Sequence, residues 1–137
     1  MVERLVALVT TADPDRLVDL VDRGVATARR GGAVRVLFRD ESIVILCTDE
    51  ARSRLGFASQ GLVAEGEAPI RATSMAAVER GLRTLSAAGD VALYACTSSL
   101  YLWGLPAADL TTALTGTRGL IAFLADDLAG ATEVLTY

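Results

Sequence analysis

The chain has 137 residues, 52% hydrophobic and 22% charged, with a net charge of −4 and only 5% aromatics. That length and balance fit one ordinary domain (residues 1–137) with a core of Leu, Val, Ile and Ala, and argue against disorder. The acidic balance supplies no basic patch for nucleic acid and disfavours docking on an anionic membrane.

Arg4–Val9 reads as a buried strand, because Leu5 to Val9 form a continuous apolar run. Thr10-Thr11-Ala12-Asp13-Pro14 follows as loop and helix start, with Asp13 as N-cap and Pro14 at the first helical position. The helix is expected from Pro14 to Arg30. Leu17, Leu20, Val21, Gly24, Val25 and Ala28 form one stripe along it, and Gly31-Gly32 ends it. Arg29-Arg30 complements the helix dipole. Ala33–Phe38 is a second strand, followed by the polar turn Arg39-Asp40-Glu41-Ser42.

Between Ser42 and Leu55 the pattern is ambiguous: Ile43–Cys47 suits a strand or the apolar side of a short helix. Gly56–Ala72 carries three glycines and Pro69 and reads as a long surface loop, a flap or a contact with a neighbouring subunit. Thr73–Ala88 is a helix with Met75, Val78, Leu82 and Leu85 on one side, closed by Gly89. Val91–Ala95 is a third buried strand, and Cys96 ends it. Thr97-Ser98-Ser99 opens a short helix that stops near Gly104. A further helix is expected near Asp109 or Thr111, another over Gly119–Leu128 with Asp126-Asp127 on a solvated face, and a last strand at Thr132–Thr136.

Buried strands alternating with amphipathic helices predict an α/β fold, a three-layer sandwich with a mostly parallel sheet of four to five strands and helices on both faces. Sites in such sheets form beyond the carboxyl ends of the strands. Three segments emerge there: Thr10–Asp13, Arg39–Glu41 and Cys96–Ser99. They are expected to converge.

The missing residue types narrow the chemistry. The chain has no His, no Lys and no Asn, and all 13 basic residues are Arg. Within one chain this excludes a Ser-His-Asp or Cys-His pair, a Schiff-base lysine and a P-loop lysine. Two cysteines without histidine do not complete a usual zinc site, so no metal and no cofactor are expected. The mean hydropathy is positive, yet the longest apolar runs, Ile43–Cys47 and Gly119–Ala125, are too short to span a bilayer. The first residues lack a signal-peptide layout, which points to the cytoplasm. A hydrophobic excess on a small soluble chain points to surface buried between subunits.

The segment from Val91 through Cys96-Thr97-Ser98-Ser99 to Trp103-Gly104-Leu105 resembles the cysteine segment of the DsrE/DsrF-like family: a hydrophobic strand, a cysteine, small residues, then Gly and an aliphatic residue. The opening strand, the Thr-Thr-Ala-Asp-Pro loop, the helix ending in Gly-Gly and the strand ending at Phe38 fit as well, as do the closing segments. The resemblance implies a flavodoxin-like fold assembled into homo-oligomers, trimers or hexamers. It also implies that Cys96 is the position at which sulfur-relay members carry a persulfide, with a sulfur-donor or acceptor protein as partner. Where relay members have an Arg-rich segment after the cysteine, this chain has Thr97-Ser98-Ser99-Leu100-Tyr101.

Cys96 is therefore the candidate catalytic thiol, with Thr10, Thr11, Arg39, Thr97, Ser98, Ser99 and Tyr101 as candidate ligand-binding residues. A thiol at a strand end beside helix amides has its thiolate stabilised, and thiolate attacks a sulfur donor or a peroxide, so Cys96 is read as a persulfide carrier or as a cysteine that undergoes reversible oxidation. The bland alternative is a small buried hydrophobe. Cys47 reads as core rather than as a resolving thiol, and Trp103 as a pocket wall or a subunit anchor. The rival function is a non-catalytic oligomeric module that binds a small ligand or a protein at the strand ends. A thiol peroxidase ranks last, since no base is visible.

Overall fold

The structure is a computed structural model that describes residues 2–55 and 68–137. Five strands form one sheet: β1 (Arg4–Val9), β2 (Ala33–Phe38), β3 (Val91–Cys96), β4 (Gly116–Arg118) and β5 (Glu133–Thr136). Their order is β4-β3-β2-β1-β5, and every pairing is parallel. The helices are α1 (Pro14–Arg29), α2 (Ile43–Leu46), α3 (Asp49–Leu55), α4 (Ala68–Ser86), α5 (Thr97–Trp103) and α6 (Leu120–Asp126).

The direction of travel decides which face each helix covers. From β1 to β4 the chain steps one way across the sheet, and right-handed crossovers keep the intervening helices on one side. From β4 it returns across the sheet to β5, so α6 falls on the opposite side. The side chains agree. Leu5, Ala7, Val9, Val34, Val36, Phe38, Leu93 and Ala95 join residues of α1, α2, α4 and α5 in the main core. Val6, Leu37, Cys96 and Phe123 form a second, smaller cluster, flanked by partly buried Leu8, Tyr94, Leu120, Leu124 and Leu128. One layer is deep and the other thin.

Local chemistry sets the element ends. The Asp13 carboxylate caps α1, accepting from the Asp15 N–H at 3.0 Å, with Pro14 at the first position. The α1 and α4 backbones approach closely at Gly24 and Gly81. A Cβ at Gly24 would stand 2.8 Å from Leu85 Cδ1, and one at Gly81 3.3 Å from Val21 Cγ1. Gly104, at φ 67°, stops α5 after two turns, and the Leu105 N–H turns back to the Leu100 carbonyl.

Several expectations require correction. Ile43–Leu46 is a turn of helix with all four side chains buried. The strand just before it offers no free edge, since β2 is paired on both sides by β1 and β3. Of the loop expected over Gly56–Ala72, residues 56–67 lie outside the described residues, and 68–72 belong to α4. Pro69 sits in the first turn of α4, where a missing N–H costs little. No α-helix starts at Asp109 or Thr111. Ala107–Asp109 is a short 3-10 turn that leads to an isolated bridge between Leu110 and Cys47. Strand β4 went unforeseen, and Asp127 is buried rather than solvated. Among the described residues, no helix is long and apolar enough to cross a membrane.

Candidate functional site

The three loops expected to converge do so through hydrogen bonds at the carboxyl ends of β1, β2 and β3. The Arg39 N–H donates to the Val9 carbonyl at 2.9 Å. The Ser42 N–H donates to the Thr10 carbonyl at 3.1 Å, and its hydroxyl to the Val9 carbonyl at 3.0 Å. From α5, the Ser99 hydroxyl accepts from the Asp40 N–H at 3.0 Å, and the Trp103 indole N–H donates to the Asp40 carbonyl at 3.2 Å. Asp40 itself has φ 55°, a left-handed conformation that this double clamp holds in place. Trp103 therefore ties α5 to the β2 loop.

Cys96 is the last residue of β3 and the N-cap of α5, and its side chain makes no capping bond. It is 1% exposed, in the cluster with Val6, Leu37 and Phe123. The strand order reverses beside it. α5 reaches the main core through Leu100, whereas α6 covers the opposite face, so the crevice of the open sheet lies between the ends of β3 and β4. A Cβ on Gly119, the N-cap of α6, would lie 3.8 Å from Thr97 Oγ1, so the two helices start side by side.

Register brings two arginines to the level of the thiol. Arg118 of β4 is the direct partner of Cys96, so both side chains share the α6 face. Arg39 follows Phe38, the partner of Ala95, and alternation from Leu37 places it on that face too. Arg39 Nε is buried without a hydrogen bond among the described residues; Asp40 Oδ2 stands 3.9 Å away. The Arg118 guanidinium lies 5.5 Å from the Tyr94 ring centroid. Its Nε donates to Asp127 Oδ2 at 2.8 Å, and its Nη2 to Asp126 Oδ2 at 2.9 Å. Asp127 also stands 3.9 Å from Arg35 Nε. Arg118, Tyr94 and Asp127 escaped the sequence reading. The signal was weak, since a three-residue edge strand has no hydrophobic pattern.

The other candidates take different places. Thr10 lies at the β1 end, and its N–H and hydroxyl both donate to the Tyr137 carbonyl, at 2.8 and 3.0 Å. Thr11 Oγ1 accepts from the Asp13 N–H, which makes it part of the helix start. Thr97 and Ser98 are exposed beside Cys96, while Ser99 is buried on Asp40. Tyr101 is 87% exposed, with Leu102 next to it at 82%. Cys47 lies in the main core, so the sheet separates it from Cys96, and both thiols are free. Burial pushes the Cys47 thiol up to about 11, against the pull of Arg52, and its Sγ donates to the Ile43 carbonyl. A cavity of about 230 Å³ lies along β4, walled by Leu110, Thr111, Leu114 and Gly116 among others; Cys96 is not one of its walls. Its polar side chains are Thr111, Thr112 and Thr117, with no charged residue among its described walls, so the geometry around Cys96 carries the functional argument.

No family model and no curated protein matches the chain. Among solved structures it is similar to MTH1491, a protein of unknown function from Methanobacterium thermoautotrophicum. The TM-score is 0.66 and the identity 14%, over 97% of this chain and 98% of that one. At that identity the likeness establishes a shared α/β fold.

Proposed function

We propose that the protein is a DsrE-like thiol protein that carries sulfane sulfur on Cys96. The observation that carries the reading is the position of Cys96 at the β3 end, at the reversal of strand order, with Arg118 opposite it on β4 and Arg39 in the residue just after β2. Cationic neighbours favour thiolate and persulfide anions. Arg118 is paired with Asp126 and Asp127, and Arg39 faces Asp40, so what supports the reading is that both guanidiniums share the level and the face of Cys96. In the step proposed, the Cys96 thiolate attacks the outer sulfur of a donor persulfide, R–S–SH. The Cys96 S–S bond forms, the donor S–S bond breaks, and R–S⁻ leaves; the attacked sulfur passes between carriers without net oxidation.

The reading is tested by incubating the protein with a persulfide donor and following the mass of the intact chain. A gain of one sulfur in Cys47→Ser and none in Cys96→Ser supports it; equal loading of both variants refutes it. Homo-oligomerisation, as trimer or hexamer, belongs to the same proposal and is supported by the exposed Tyr101 and Leu102 on α5. A monomer in sedimentation at micromolar concentration contradicts that part.

The near-complete burial of Cys96 favours one alternative, an oligomeric module that binds a small ligand or a protein at the strand ends without thiol chemistry. In that case Cys96→Ser retains full ligand binding.

A further inference from the structure

Resting on the reading of Cys96 as a sulfur carrier, we infer that α6 is a lid over the thiol, latched at its carboxyl end by the Arg118–Asp126/Asp127 cluster. A donor sulfur must reach Cys96 Sγ, yet the residue is 1% exposed. Beyond the sheet itself, its cluster among the described residues is completed by Leu120, Phe123 and Leu124 of α6, with Leu128 and Ala131 just after it. Moving α6 therefore uncovers the thiol while the main core on the other face stays intact.

Three features suit α6 to that movement. It is seven residues long, and the element it packs against most closely is the short turn that follows it, Leu128–Gly130. Glycines bracket the segment, Gly119 before it and Gly130 after it, and Ile121 on its outer side is 83% exposed. Its carboxyl end is held electrostatically. Arg118 bonds Asp127 at 2.8 Å and Asp126 at 2.9 Å, and Arg35 stands 3.9 Å from Asp127. The Arg4 guanidinium adds bonds to the Asp126 and Asp127 carbonyls at 3.4 and 3.3 Å. The latch and the site share a residue, because Arg118 is the strand partner of Cys96. Opening frees a guanidinium at the level of the thiol, where an anionic sulfane donor would meet it.

The test is the rate at which a neutral maleimide labels Cys96 in a Cys47→Ser background, in wild type and in Asp126→Asn and Asp126→Asn/Asp127→Asn. Loosening the latch is expected to speed labelling about tenfold, equivalent to about 1.4 kcal/mol off the opening free energy. The rate should change little in low urea, as for a local opening, whereas labelling through global unfolding rises with the full denaturant slope. If the double variant does not fold, Asp126→Asn alone and the wild type in high salt give the same readout, since salt weakens the exposed pair. An unchanged rate, or one that follows the full unfolding slope, overturns the lid. Persulfide loading measured on the same samples separates the two claims. Faster labelling without loading keeps the lid and refutes the sulfur carrier.

Discussion

Truncating Phe123 to alanine tests whether α6 is what covers the second face of the sheet. Phe123 is fully buried, and its ring meets Tyr94 edge-on with centroids 6.4 Å apart. Buried Phe→Ala changes cost about 3–5 kcal/mol, and losing an aromatic pair adds roughly 0.5–1.5 kcal/mol. Here the surrounding Leu8, Tyr94, Leu120 and Leu124 are only partly buried, so the site can collapse into the space left behind. That places the expected loss near the low end, about 3 kcal/mol. With a urea slope of about 2 kcal/mol/M, the midpoint should fall by about 1.5 M at unchanged slope. Chemical unfolding followed by circular dichroism measures it. A loss below about 1 kcal/mol would mean that Phe123 carries no core, and the thin second layer described above would be wrong.

Other outcomes follow from the same geometry. Gly24→Ala should destabilise by about 1–2 kcal/mol, because its methyl meets the buried Leu85 at 2.8 Å; Gly81→Ala, against the half-buried Val21, should cost less. Equal costs by thermal or urea unfolding would contradict that packing. Cys47 binds its proton more tightly folded than unfolded, so its contribution is full below about pH 9 and is lost as the pH rises towards about 11. Cys47→Ala should flatten that alkaline limb in urea titrations at a series of pH values; an unchanged limb would show that the thiol is not desolvated. Mild oxidation should leave no intramolecular Cys47–Cys96 disulfide, because the sheet lies between the two thiols. Finding that bond by peptide mapping would contradict the assignment of their faces.

Much of the fold was legible because its signals are local. Continuous apolar runs marked Arg4–Val9, Ala33–Phe38 and the third strand, and Asp13-Pro14 marked the start of α1. What remained hidden depends on tertiary partners. Ile43–Leu46 has the composition of a strand, but β2 before it is paired on both edges and the segment turns into helix with all four side chains buried in the main core. Gly116–Arg118 has no alternation to read, and it becomes a strand because β3 offers a free edge. For the site, the convergence of the loops after β1, β2 and β3 followed from the parallel-sheet rule. The pairing of Arg118 with Cys96 did not, since the two lie far apart in sequence and the register exists only once the sheet forms. The same holds for Asp127. An acidic pair at a helix end reads as solvated, and its burial comes from Arg118 and Arg35 reaching it from the sheet.

The most direct test of the central claim is the mass of the intact Cys47→Ser protein after exposure to a persulfide donor, beside Cys96→Ser treated identically. The account predicts one added sulfur that a reductant removes, present in Cys47→Ser and absent in Cys96→Ser. No added sulfur in either variant, under conditions where maleimide labels Cys96, would contradict it and leave the ligand-binding module as the reading to pursue.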